Sequence, residues 1–528
     1  MKKFLYKLSA LVIGISFMLL PLTGCTKEDV ANTLYIDISN AGYGINWLNP
    51  LVDIFEEENP SITVKIRSVV KNDGNYVNKA LSGVADTDLF FVETNVLKHV
   101  DAPLISGDGT RYETPFADLT ALFNEKIPGE EVTIAEKMRP EYLAYNTLNG
   151  KNYTFPWMES MMGIVMNKNV YRESWGKLPN TTDELFKFCD KVKADGVSPF
   201  IFSTADPYWL DIYDIWMSQY HGLENMARFY DGYTLSGEYA GERYNPDMFL
   251  DEGLWQALSV LGELVNFDNG YHNNLSYTLS FTDVQNKFLD ANRNSSASDQ
   301  ILFMVNGAWL QREMEMNYTA DEINSEFIRT PVVSALGTKL GITDAELSAI
   351  IDYVDGTIAS APQFTSSKSI PSEDVISEVA AARKIVSSNH LHAAFIPVYS
   401  TKQDLARKFI QLMASDKGIK AMLEESQLKP PMLYDAFNAE LENPLSSFMR
   451  STYAIADNSV FNIVPQGDLF RIGGLELVNN QGYFTSYLSA KNPVDRKSAE
   501  DIFTENYNYV SDNTRWNYFL SSAGISLT

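Results

Sequence analysis

Cysteine is almost absent. Cys25 and Cys189 are the only two in 528 residues, and they lie across the expected N-terminal export signal, so no internal disulfide is expected and packing must supply stability. Basic residues are also scarce: 42 Lys and Arg stand against 68 Asp and Glu, a formal charge of -26 and a pI near 4.6. Such a chain does not attract phosphate backbones or anionic lipid, which excludes nucleic acid as a partner. Five histidines are scattered, and only His390 and His392 lie close together, where a strand would put both on one face. With no cysteine or third histidine beside them they read as ordinary strand residues, and neither a metal site nor a cofactor is expected. The body also lacks any apolar run long enough to cross a bilayer.

What is present is globular: 45% hydrophobic and 21% charged residues, in a length suited to two to four folding units. The first 25 residues open with Lys2, Lys3 and Lys7 and continue through LSALVIGISFMLLPL, too short and wrongly flanked for a membrane helix, and therefore an export signal over 1–24. It ends in Leu22-Thr23-Gly24-Cys25, which resembles the bacterial lipobox. That resemblance implies cleavage before Cys25 and diacylglyceryl transfer to its thiol. Two acyl chains at about 0.8 kcal/mol per buried methylene anchor stably where one is marginal. Loss of the leader leaves 39 basic and 68 acidic residues, a net -29. Residues 25–33 serve as anchor and tether.

From Leu34, LYIDIS alternates as a strand, NAGYG forms a loop, and Leu48, Leu51, Val52 and Phe55 share a helix face that Asn59-Pro60 ends. SITVKIRSVV, a helical stretch around YVNKALSGVA, and the short strand DTDLFFVE complete a strand-helix-strand-helix-strand series. This is the signature of an α/β fold with a parallel sheet covered by helices. Ligands of such sheets sit off the carboxyl ends of the strands, here the loops beginning Ser39-Asn40 and Glu93-Thr94-Asn95. Farther on, Thr181 to Glu184 and Thr343 to Glu346 read as capping boxes, and Thr401 with Asp404 as the cap of DLARKFIQLMAS. Residues 343–388 read as a mostly helical insertion.

Taken in order, GINWLNPLVDIFEEENPSITV, TDLFF, YTFPWMESMMGIVMNKNVY, FSTADPYW, FMVNGAWL and IPVYSTKQDLARKFIQLMASDKGIKAML resemble the extracytoplasmic solute-binding proteins of ABC importers, in particular the sugar-binding group that includes the maltodextrin-binding proteins. The resemblance covers nearly all of the chain after the leader. It implies a two-lobed fold, each lobe a sheet flanked by helices and joined by crossing strands, with lobe 1 over 34–158 plus 393–428, lobe 2 over 164–335 plus 429–528, and the insertion at 343–388 decorating lobe 2. It further implies a monomer anchored on the outer face of the cell membrane, capturing a mono- or oligosaccharide in the cleft and delivering it to the permease subunits and their ATPase.

A sugar needs flat aromatic faces for stacking and ionised or amide groups for its hydroxyls. At the family's positions this chain offers Trp309 after Asn306-Gly307-Ala308, and Asp206, Tyr208 and Trp209 in the Asp-Pro-Tyr-Trp loop. Trp157 and Glu159 stand in the first crossing, where the maltodextrin pattern puts its acid one residue later, at Ser160, so either Glu159 or Ser160 faces the cleft. Asn40, Tyr43 and Glu93 follow strands of lobe 1. The alternatives are an extracytoplasmic carbohydrate-active enzyme, because carboxylates and aromatics in a cleft also suit a glycosidase, or a surface adhesin. No G-x-S-x-G, H-E-x-x-H or phosphate loop is present.

Overall fold

The computed structural model describes residues 32–204, 208–293, 296, 299–364, 370–482 and 484–526. Cys25 and the leader, and Asp206, lie outside them. Two sheets organise the rest. In the first, the order is Thr63–Val70, Thr33–Asn40, Leu89–Glu93, His392–Phe395, Phe155–Pro156. The first three strands are parallel and the last two run antiparallel to their neighbours. The second sheet runs Ser198–Ile201, Ile301–Gly307, Met161–Asn167, Ile385–Ser388, Val460–Phe461, with Ser325–Ile328 also paired to Met161–Asn167. Helices cover both, which is the two-lobed α/β architecture.

The chain's apolar periodicity explains the layers. In Thr33–Asn40, Leu34, Ile36 and Ile38 are fully buried on one face, and the helix Asn49–Glu58 sets Leu51 and Phe55 against that lobe's core. Phe55 meets Phe409 of the helix Gln403–Ala414 edge-on at 5.3 Å, so the late segment returns to close the first lobe. Asn59 ends the early helix by donating its Nδ2 to the carbonyl of Phe55 at 2.8 Å. The capping box at Thr343 and Glu346 is complete. Thr181 accepts from the Glu184 amide, but the Glu184 carboxylate takes the Asn180 amide instead of closing the box. Thr401 caps nothing: the helix begins at Gln403 after Lys402, with no side-chain cap.

The run 343–388 is helical over Asp344–Val354 and Glu373–Arg383, and both helices bury apolar residues in the second lobe's core. Its last four residues are not part of a surface decoration. Ile385–Ser388 is a fully buried strand between Met161–Asn167 and Val460–Phe461. Ile385 and Val386 are the only β-favouring residues of the four, and so short a run after a helix cannot be separated from it by pattern alone.

The chain passes between sheets at 157–160 and again at 389–391, and a third time after Gln427. The three passages are bonded together: the Asn389 amide donates to the Ser160 carbonyl at 2.9 Å, and the Glu159 amide to the Lys429 carbonyl at 2.9 Å. Among the described residues no helix is long and apolar enough to cross a membrane.

Candidate functional site

A cavity of about 570 Å³ lies between the lobes. Strand carboxyl ends supply most of its wall. From the first lobe come Gly42 and Tyr43 after Thr33–Asn40, Lys71 after Thr63–Val70, and Glu93 at the end of Leu89–Glu93. From the second lobe come Ser203 and Tyr208 after Ser198–Ile201, and Trp309 and Glu313 after Ile301–Gly307. The crossing segment adds Asn389 and His390, the strand His392–Phe395 adds His392, and Phe281 lines the cavity from the second lobe.

Trp309 is seated by a glycine two residues before it. A Cβ at Gly307 would fall 2.1 Å from the indole ring, so only glycine lets the ring fold back over the strand end. Trp309 is 6% exposed and lines the cavity. Tyr43, from the opposite lobe, stands edge-on to it at 5.9 Å and 89°, and Tyr208 meets it at 5.5 Å and 63°. Gly42 permits this approach as well, since a Cβ there would come within 3.1 Å of Trp309 Cγ and 3.0 Å of Glu313 Oε1. The Tyr43 hydroxyl donates to Ser160 Oγ at 2.6 Å. Burial raises the Tyr43 pKa well above the ordinary phenol value despite that hydrogen bond, with Glu93 and Glu313 adding to the rise.

The lobes touch elsewhere around the cavity. Lys71 Nζ of the first lobe lies 4.5 Å from the Phe281 ring of the second. Outside the cavity lining, Arg471 of the second lobe donates to the Leu97 carbonyl and to Asp101 Oδ2 of the first, each at 3.1 Å.

The candidates from sequence divide. Tyr43, Glu93, Tyr208 and Trp309 converge on the cavity. Trp157 does not: it is 1% exposed, stacks on Trp47 at 4.9 Å, donates its Nε1 to the Val92 carbonyl, and lies behind His392. Trp209 is packed between Phe200 and Phe202 in the second core. Asn40 ends its strand one residue short of the cavity wall, its carbonyl accepting from the Lys71 amide. Glu159 is turned into the hinge, where Arg139 Nε at 2.5 Å and Lys429 Nζ at 3.0 Å hold it. Burial would raise its carboxyl, but Lys429 and Arg139 outweigh burial and keep it below the ordinary range. Ser160 is likewise buried and reaches the site only through Tyr43.

Sequence reasoning missed Lys71, Glu313, Asp211 and His390. Lys71 was accessible to the same strand-end rule that selected Tyr43 and Glu93, because it follows the middle strand of that series. Glu313 sits one turn past Trp309 on Leu310–Met314 and shares its face. His390 belongs to a crossing and not to a strand. Burial lowers its pKa to about 4, which keeps the ring neutral near pH 7. Among the described residues no group of three His, Cys, Asp or Glu side chains is arranged to hold a metal ion.

The pattern that defines the bacterial extracellular solute-binding proteins matches residues 41–420. A multiple sugar-binding protein of Streptococcus mutans is 28% identical over 167 residues, which is 31% of this chain and 35% of that protein, so the aligned stretch spans about a third of the relative's length. Among solved structures, a chitin oligosaccharide binding protein superposes with a TM-score of 0.57 at 14% identity, over 92% of this chain and 99% of its own. A maltose-bound protein of T. maritima superposes with a TM-score of 0.54 at 14% identity, over 90% and 98%. The acarbose-binding GacH receptor of Streptomyces glaucescens gives 0.54 at 15%, over 90% and 96%. At these identities the superpositions show the fold.

Proposed function

The chain belongs to the family of bacterial extracellular solute-binding proteins, and from that premise we propose that it is the capturing component of an ABC importer for a carbohydrate. The observation that carries this reading is the cavity between the lobes, whose aromatic rings Tyr43, Tyr208 and Trp309 come from both sides. Its volume suits a small-molecule ligand. Ring faces suit the C-H faces of a sugar, and the carboxylates Glu93 and Glu313 suit its hydroxyls. The names of the relatives, which bind chitin oligosaccharide, maltose and multiple sugars, support the same class. Asp206 stays in the proposal on the strength of the sequence alone.

In this reading the protein acts as a monomer. Ligand draws the lobes together, the permease recognises the closed form, and ATP hydrolysis in the partner subunits drives release. The cleft carries out no reaction. Thermal unfolding against a carbohydrate panel tests the proposal: a ligand at 100 times its Kd stabilises by about 2.7 kcal/mol, and the sugar should be recovered intact. A panel with no stabilising sugar, or a hydrolysed product that disappears with Glu313→Gln, would overturn it. Attachment through Cys25 is part of the proposal, and Cys25→Ala should release the protein from the membrane fraction.

A further inference from the structure

The cavity brings carboxylates of both lobes together. Glu93 comes from the first lobe and Glu313 from the second, and Asp211 joins them from the helix Tyr208–His221. Among the described lining residues Lys71 carries the one ammonium beside Glu93 and Glu313. Glu313 Oε2 accepts from Gln285 Nε2 at 2.7 Å, and among the described residues no basic group forms an ion pair with it. Glu93 Oε1 lies 3.6 Å from His392 Nε2. Asp211 Oδ1 accepts from Ser387 Oγ at 3.3 Å. Burial raises the Glu313 pKa, Gln285 and Lys71 oppose the rise, and Glu93 adds to it across the cleft. The two lobes therefore bring like charges together where they meet, a cost that Lys71 lowers and a further positive group would lower more.

The rings make the same demand. Tyr43 and Tyr208 stand at 89° and 63° to Trp309, so the three form walls at steep angles instead of a parallel stack. Steeply inclined aromatic walls backed by carboxylates are the surroundings in which an ammonium group is held, by ring quadrupole and by charge together. Lys71 does not fill this place, because its Nζ lies over Phe281.

Resting on the carbohydrate reading above, we propose that the preferred solute is a saccharide bearing a free, protonated amino group, which sits between Glu93 and Glu313 against the Tyr43, Tyr208 and Trp309 rings. Glu313 is then the specificity-determining residue of the second lobe and Glu93 its counterpart in the first.

Calorimetry at about pH 6.5, where an ordinary amino group is protonated, would compare three oligosaccharides of equal ring number: free-amine, N-acetylated and neutral hydroxyl. The free amine should bind at least about tenfold more tightly than the other two, and Glu313→Gln should shrink that ratio to about threefold or less. Equal or tighter binding of the neutral sugar would overturn the charge proposal and leave the carbohydrate reading standing. If choline binds and no saccharide does, the carbohydrate reading falls and the cationic site remains. If none of the four binds, both readings fall. The comparison among ligands uses the unsubstituted protein, so it does not depend on the folding of the variant.

Discussion

Tyr43 on the first lobe and Trp309 on the second meet edge-on, with ring centroids 5.9 Å apart. Each ring is carried by the carboxyl end of a strand in a different sheet, so this contact exists only while the lobes are apposed. Trp309→Ala removes the ring shared by both walls and should weaken ligand binding by about 2 to 4 kcal/mol, the range for a desolvated aromatic anchor. Titration calorimetry reads the affinity, and circular dichroism should be unchanged. Loss of the folded spectrum would instead place Trp309 among the core residues.

Arg471 ties the lobes by donating to the Leu97 carbonyl and Asp101. Asp101 is largely exposed, which makes the tie modest, on the order of 1 kcal/mol. Arg471→Ala should therefore enlarge the radius of gyration of the ligand-free protein in small-angle scattering and weaken binding about three- to tenfold. Identical scattering from the two proteins would mean that the Arg471 bonds do not hold the lobes.

Glu159 is a hinge residue, with Arg139 and Lys429 as its buried partners. Glu159→Gln leaves Lys429, which has no exposed surface, without its counter-charge. A loss of about 3 to 5 kcal/mol in unfolding free energy is expected, as for other broken buried pairs. Denaturant titration measures it. A variant as stable as the parent, but unable to bind sugar, would restore Glu159 to the ligand site.

Asp214 sets a pH dependence. Burial pushes its pKa up to about 7, against hydrogen bonds from Tyr230 and Asn462. The folded chain therefore keeps a proton that the unfolded chain releases above about pH 4. This group's contribution is full at low pH, is lost as pH rises toward 7, and is flat beyond. Asp214→Asn should have little effect at pH 4 and stabilise the protein at pH 8 by on the order of 2 kcal/mol. Equal effects at both pH values would show that the carboxyl ionises normally.

Much of the architecture could be read locally. The alternation of Leu34, Ile36 and Ile38, the helical face of Leu51 and Phe55, and the turn after Asn306 depend on neighbours within a few residues, and each appears where pattern places it. The strand-end rule likewise brought Tyr43 and Glu93 to the cavity. It failed at Asn40, which ends its strand one residue before the wall begins at Ala41 and whose carbonyl is taken by the Lys71 amide. Ile385–Ser388 was hidden because its identity as a strand comes from pairing with Met161–Asn167, more than 200 positions away.

The sequence by itself determined the α/β class through periodicity, and through the order of short motifs the family whose resemblance implied two lobes and the residue types from which a sugar site is built. Which of those residues form the site was decided by tertiary structure. Trp157, Trp209 and Trp309 are chemically the same, yet the first stacks on Trp47, the second sits between phenylalanines, and only the third reaches the cavity, because Gly307 lets it fold back. Glu159 and Glu313 differ in the same way. One is claimed by two cations in the hinge, and the other lines the cleft with Glu93, a juxtaposition that arises only where the two lobes meet.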